Sequence, residues 1–282
     1  MLKRFGYLPA YRMDDRTRSQ SQTPNSKSKK NMTFPVYLSI GLWQIHPHFF
    51  FESLAYAIAF RLLLFNKKKD PIAPSQRTSV IVGGMVGALI GAKALVLLQH
   101  IDLLWQNPEQ ILLLLLQGKT VVGAMLGGLI GVELTKKIIG VTRSTGDAFV
   151  YPLIAGTAIG RIGCFLTGLS DRTYGIATNL PWGINFGDGI YRHPTQLYEI
   201  VFLLGLTVFL KFRSRCDRQE GDLFKFYMIG YLGFRFLVDF IKPDFHVFLG
   251  VTAIQIACLL ALVYYRRSLV NLFNFTGFDR SP

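Results

Sequence analysis

Seven apolar stretches, at about 48–65, 78–98, 121–140, 147–168, 194–211, 222–241 and 248–265, leave this chain little freedom in what it can become. A helix needs roughly 20 apolar residues to cross a hydrocarbon core. No water reaches backbone N–H and C=O groups inside that core, so a spanning segment must satisfy them within the fold, as a helix does. The first and fifth stretches are short and need tilt or help from their flanks. A soluble domain of 282 residues would carry more charge than the 17% found here and a lower mean hydropathy than +0.32. The expectation is an all-α, polytopic integral membrane protein with seven transmembrane helices.

Charge placement orients it. If the first helix enters from outside, the inner loops and tail hold Arg61, Lys67, Lys68, Lys69, Arg77, Lys136, Lys137, Arg143, Lys211, Arg213, Arg215, Arg218, Arg266, Arg267 and Arg280. The outer loops hold only Lys119, Arg172, Arg192 and Lys242. That asymmetry follows the positive-inside rule and places the amino terminus outside and the carboxyl terminus inside. It also accounts for the net charge of +14 without a nucleic-acid partner. The domain reading is a basic, disordered tail at 1–35, a seven-helix membrane domain at 36–268 and a short cytoplasmic tail at 269–282. The first tail resists the charge rule, because it is basic and would lie outside; it has no apolar signal core.

Cys164, Cys216 and Cys258 show neither metal-ligand spacing nor a pairing pattern, so no metal and no cofactor are expected. No long internal repeat supports a transporter plan. The second and third stretches contain GGMVGALIGAK (83–93) and GAMLGGLIGVE (123–133), whose small residues at four-residue spacing let helix backbones approach closely in lipid. Between them, Asn107 can cap a short helix from Pro108, giving an amphipathic arm at the outer surface. The longest outer loop, 169–193, is rich in Gly, Pro, Asn and Asp and carries Tyr174, Trp182 and Tyr191; it reads either as a lid or as a turn-rich connector.

Arg161 and Arg235 are the anomalies. Each lies within or at the end of an apolar run, where a charge costs roughly 2.5–3.5 kcal/mol at a helix centre even on insertion scales. A guanidinium keeps its charge and offers a planar fork of donors suited to a phosphate. The competing reading is internal ion pairing, of Arg161 with Glu199 or Asp239 and of Arg235 with Asp239 four residues on. Gly160 and Gly163 thin the helix around Arg161. Lys93, Glu133, Lys225 and Gln255 are further polar groups in or near spans. The densest polar cluster, Tyr191–Glu199, sets Gln196 and Thr195 on one helix face with Glu199, and His193 is a candidate general base. Glu52, in an apolar setting behind His46 and His48, is a second candidate for acid–base work or a counter-ion of a buried Arg. The two histidines flank Pro47 on opposite sides of an extended segment, which argues against a metal pair.

GRIGCFLTG (160–168), the YG at 174–175, RHPTQLYE (192–199), RFLVDFIKPD (235–244) and TAIQIACL (252–259) resemble, in order and spacing, the prolipoprotein diacylglyceryl transferase family. The resemblance covers about residues 36–266. It implies a bacterial inner (plasma) membrane enzyme that moves diacylglyceryl from phosphatidylglycerol to the lipobox cysteine of a preprolipoprotein, releasing glycerol phosphate. It implies phosphate binding by Arg161 and Arg235, the loop glycine at Gly175 and an acidic partner at Asp239. Tyr198, Glu199, Gln196 and Lys119 are further substrate-binding candidates from the polar clusters themselves. Arg161, Arg235, Glu52 and His193 are the catalytic candidates. The departures cluster on the reaction: Leu126 stands where the family motif has the histidine proposed as base, Glu52 near its first-helix tyrosine, Cys164 at its asparagine and Leu169 at an acidic position. Either the base has moved to Glu52 or His193, or this is a phospholipid-binding paralogue with another acceptor or none.

Overall fold

The computed structural model describes residues 34–41, 43–65, 73–101, 109–215, 219–243 and 250–268. The amino-terminal tail to residue 33, Asn107 and Pro108, Cys216, and the carboxyl-terminal tail from residue 269 lie outside the described residues. Within them the chain is all-α. Its helices are α1 (Pro47–Phe65), α2 (Pro74–Gln99), α3 (Glu109–Gln117), α4 (Val121–Ile139), α5 (Val150–Thr167), α6 (Thr195–Arg213), α7 (Asp222–Val238) and α8 (Ala253–Tyr264). Two short antiparallel pairs accompany them, β1 (Leu38–Ile40) with β2 (Trp43–Ile45) and β3 (Ile184–Asn185) with β4 (Tyr191–Arg192).

Each of the seven apolar stretches contains a helix. Among the described residues, four helical segments are long and apolar enough to cross a membrane: Pro47–Phe65, Pro74–Gln99, Gly146–Asp171 and Thr195–Arg213. The last turns of α4 carry Glu133, Lys136 and Lys137, and Lys136 is buried against Glu133 at 2.9 Å. Helices α7 and α8 are shorter, at 17 and 12 residues. Thr252 starts α8 with a reciprocal cap: its hydroxyl accepts from Gln255 N, and Gln255 Oε1 accepts from Thr252 N at 2.8 Å.

The glycine-rich stretches are a packing seam. Gly83, Gly87 and Gly91 of α2 face Gly131, Gly127 and Gly123 of α4, and a Cβ on Gly87 would stand 2.3 Å from the Gly127 carbonyl oxygen. Only residues without a Cβ let two helix backbones touch in this way. The core centres on α6 and α7, where Leu203, Leu210, Tyr227, Met228, Tyr231 and Leu232 are fully buried. Leu89 and Ile90 of α2, Ile130 and Ile138 of α4, and Val201 and Leu204 of α6 lie exposed on the outside. An apolar exterior of this extent is what a lipid solvent favours, since a soluble monomer rarely exposes so much continuous apolar surface.

The 169–193 loop is a tied-down hairpin. Thr178 N donates to Tyr191 O (2.9 Å), His193 N to Ile176 O (3.1 Å) and Gly175 N to His193 O (2.8 Å). Arg192 lies over the Tyr174 ring and pairs with Asp188 at 2.7 Å, a hydrogen bond that holds the Asp188 carboxyl below the usual carboxylate range. Trp182 and Tyr191 are exposed at its surface.

Candidate active site

One end of the bundle brings together most of the candidate site residues. The first turns of α1, α4, α6 and α8 and the last turns of α5 and α7 meet there, so residues far apart in sequence come together.

The deeper cluster holds both arginines. Arg161 Nε lies 2.9 Å from Glu199 Oε2, and Arg235 Nη1 lies 3.5 Å from the same oxygen. Tyr231 donates its hydroxyl to Glu199 Oε1 at 2.7 Å. Arg235 Nη2 pairs with Asp239 Oδ1 at 3.1 Å, and Asp239 Oδ2 accepts from Thr252 Oγ1 at 2.5 Å. Arg161, Arg235, Glu199 and Asp239 are 7%, 4%, 2% and 0% exposed. Internal pairing is therefore real, and two cations balance two anions. It does not exhaust the donors: Arg235 Nε and Nη1 are buried and make no hydrogen bond among the described residues. A buried donor without an acceptor costs about 1–3 kcal/mol. An anion arriving here would remove that cost. Gly160, one residue before Arg161, has open space where a Cβ would stand.

The shallower cluster forms where α1 meets α5. Gly163 makes that contact possible, because a Cβ there would stand 2.7 Å from Phe51 Cβ and 3.5 Å from His48 Cα. His48 Nδ1 lies 2.8 Å from Asp171 Oδ1, and its Nε2 lies 3.3 Å from Glu52 Oε2. Glu52 Oε1 pairs with Lys119 and accepts from Tyr56 Oη at 3.1 Å. Asp171 Oδ2 accepts from Thr173 Oγ1 at 2.6 Å, and Thr173 Oγ1 accepts from Gln196 Nε2 at 3.0 Å. Cys164 bridges the clusters: Arg161 Nη1 is 3.9 Å from its sulfur, and its sulfur, a His48 ring nitrogen and an Asp171 oxygen lie within 4.8 Å of one another.

The sequence-predicted residues do not all meet. Arg161, Arg235, Glu199 and Asp239 converge. Glu52 and Lys119 join the second cluster, to which Gln196 is linked through Thr173. His193 and Tyr198 form a separate pair, with His193 Nδ1 3.0 Å from the Tyr198 hydroxyl and Trp182 Nε1 donating to that hydroxyl at 2.8 Å. Gly175 packs internally, since a Cβ would stand 2.7 Å from both His193 Cβ and Ile241 O. Lys93, Glu133, Lys225 and Gln255 all make local structural contacts.

One sequence expectation needs correction. His46 and His48 do not share an extended segment: Pro47 opens α1, so His48 is already helical and turns toward Glu52 four residues on, while His46 meets the edge of Tyr37. Asp171, Thr173 and Tyr231 were not anticipated. The Pro47 start and the His48–Glu52 spacing were the available signals for the shallower cluster; nothing local marks Thr173.

The family model described as prolipoprotein diacylglyceryl transferase matches residues 35–271. The chain belongs to the prolipoprotein diacylglyceryl transferase family. A relative from Methylobacillus flagellatus is 35% identical over 248 residues, 79% of this chain and 88% of the relative. One from Clostridium tetani is 33% identical over 201 residues, 68% of this chain and 79% of the relative. Another, from Vibrio vulnificus, is 29% identical over 221 residues, 74% and 79% of the two chains. All three relatives are named phosphatidylglycerol–prolipoprotein diacylglyceryl transferase. Leu126 packs against the hydrophobic core and offers no proton-transfer chemistry.

Proposed function

We propose that this chain is a phosphatidylglycerol–prolipoprotein diacylglyceryl transferase of the bacterial inner membrane. The observation that carries the reading is the buried arginine pair with two unsatisfied Arg235 nitrogens, set in a chain whose relatives bear that name. The phosphate of phosphatidylglycerol would be held by Arg161 and Arg235. As the glyceryl carbon transfers to a lipobox thiol, negative charge gathers on the departing glycerol phosphate. Fixed guanidinium donors stabilise such charge without reorganising, an effect worth about 10²–10³ in rate per donor in comparable sites. Glu199 and Asp239 aim the two forks, and Gln196, Tyr198, Lys119 and Gly175 line or shape the approach. Glu52 and His193 stand as the proton-handling candidates.

The reading includes residues 36–268 as a seven-span membrane domain between the tails at 1–35 and 269–282, with the amino terminus outside and the carboxyl terminus inside. The polar end of the bundle then faces outward, where a translocated preprolipoprotein meets it. The alternative, a phospholipid-binding paralogue that transfers nothing, is favoured only by the apolar packing of Leu126.

Purified protein with labelled phosphatidylglycerol and a lipobox-cysteine peptide decides between them. Thioether-linked lipid on the peptide, lost at least 10²-fold in Arg161→Ala and in Arg235→Ala while both variants still insert, is the expected result. Binding of phosphatidylglycerol with no glycerol phosphate released would establish the paralogue.

A further inference from the structure

His48, Cys164 and Asp171 come from α1, α5 and the turn after α5, yet each directs one donor atom into a space under 4.8 Å across. They supply one imidazole nitrogen, one thiolate and one carboxylate oxygen. Three mixed protein ligands with a fourth position left open are the pattern of catalytic rather than structural zinc. Bonds of about 2.0–2.3 Å in a tetrahedron hold ligand atoms on the order of 3.3–3.8 Å apart. The present spacing, from 2.8 Å between His48 Nδ1 and Asp171 Oδ1 to below 4.8 Å, reaches that range by shifts of about an ångström.

The surroundings are built as a ligand shell is. When His48 Nδ1 binds a metal, its Nε2–H points at Glu52 Oε2, 3.3 Å away, which fixes the ring as a carboxylate fixes a metal-bound histidine. Glu52 is itself held by Lys119 and Tyr56. Asp171 turns one oxygen to the trio and has the other engaged by Thr173. With a divalent ion bound, the Cys164 thiolate and Asp171 would be offset by it and Lys119 offsets Glu52; without one, His48 and Asp171 pair directly. Cys164 is nearly buried, while the His48 side chain is 30% exposed, so the open coordination position lies on the accessible side.

We infer that His48, Cys164 and Asp171 form a divalent transition-metal site, of zinc type, whose open position receives the acceptor thiol of the transferase reaction. This rests on the transferase reading above. A coordinated thiol loses its proton to water and stays a thiolate. Its sulfur then forms a bond to the glyceryl carbon of phosphatidylglycerol as the carbon–oxygen bond to phosphate breaks. The electron pair leaves with glycerol phosphate, which takes a proton from water. The site thus supplies the activation that Leu126 cannot, and Cys164, 3.9 Å from Arg161, sets it beside the phosphate site.

The test uses the full chain in phosphatidylglycerol nanodiscs, stripped with a chelator and titrated with Co²⁺ and then Zn²⁺. One Co²⁺ per chain, with a thiolate-to-cobalt charge-transfer band that Zn²⁺ displaces, is expected. The band should vanish in Cys164→Ser and strengthen when lipobox peptide adds a second thiolate. Glu52→Gln and Thr173→Val, which touch only the outer atoms of the ligands, should each weaken affinity about 10–100-fold, and they keep the test open if Cys164→Ser fails to fold. No stoichiometric Co²⁺ in the wild type, or a band that survives in folded Cys164→Ser, overturns the site. Undiminished lipid transfer by demonstrably metal-free protein overturns its acceptor role and leaves the transferase reading standing. Metal bound at the trio in a protein that transfers nothing upholds the site and overturns the transferase reading instead.

Discussion

The two polar clusters use nearly the same chemistry at different depths. Around Glu199, two guanidinium groups and two carboxylates are almost wholly buried. Around Glu52, a lysine, an imidazole and two carboxylates form a chain that reaches the surface, with Lys119 50% and Glu52 31% exposed at the side chain. Burial changes what each contact is worth. A pair removed from water cannot be replaced by solvent, so losing one partner strands the other charge. A pair at the surface exchanges with water at little cost and is screened by salt. The deep cluster is therefore suited to hold a fixed anion site, and the shallow one to admit and adjust a mobile acceptor.

The largest expected effect tests that contrast at its centre. Glu199→Gln leaves Arg161 without its 2.9 Å partner and Arg235 without its more distant, 3.5 Å one, so stability should fall by about 3–5 kcal/mol. Thermal unfolding in detergent micelles measures it. Replacing Arg161 and Glu199 together by methionine should recover most of that loss while transfer remains abolished, because the cost arises from an uncompensated charge. A single mutant as stable as the wild type would mean the deep cluster is wetter than its burial implies.

Much of the deep cluster was legible in sequence, and for a physical reason. A charge in an apolar run is an anomaly whatever surrounds it, and Asp239 sits one helical turn beyond Arg235, so spacing alone proposed the pair. The helices were legible for the same reason: in lipid, hydropathy dominates every other signal. The shallow cluster was not. His48 meets Asp171 and Cys164 only because Gly163 lets α1 approach α5, and a close approach between distant segments leaves no periodic trace. The sequence placed Gly163 beside Arg161 and showed that it thinned the helix, without showing which backbone used the space.

Gly163→Val, next in size, would pull the two clusters apart. The added Cβ meets Phe51 Cβ at 2.7 Å, so α1 must move off α5. Overpacking of this kind costs about 1–3 kcal/mol. The arginine network lies on α5, α6 and α7 and should survive, whereas the contacts of His48 should not. Phosphatidylglycerol binding kept, with transfer lost, is the expected pattern in a paired binding and turnover measurement. Loss of both together would show that the clusters behave as one unit.

The smallest effect belongs to Lys119→Ala. Lys119 pairs with Glu52 from an exposed position, and pairs of this kind contribute about 0–1 kcal/mol. Glu52 keeps its contacts with His48 and Tyr56 after the change, so its carboxylate is reoriented rather than stranded. The unfolding midpoint should therefore stay near that of the wild type, and the small difference should shrink further as ionic strength rises, because the Debye length falls from about 10 Å at 0.1 M to about 3 Å at 1 M. Glu199→Gln should show no such salt dependence, since ions do not reach a buried pair. Measuring both variants across one salt series places the two clusters on a single scale. A Lys119→Ala loss as large and as salt-insensitive as that of Glu199→Gln would mean the shallow cluster is closed off from water, and an acceptor would then need a movement of α1 to enter.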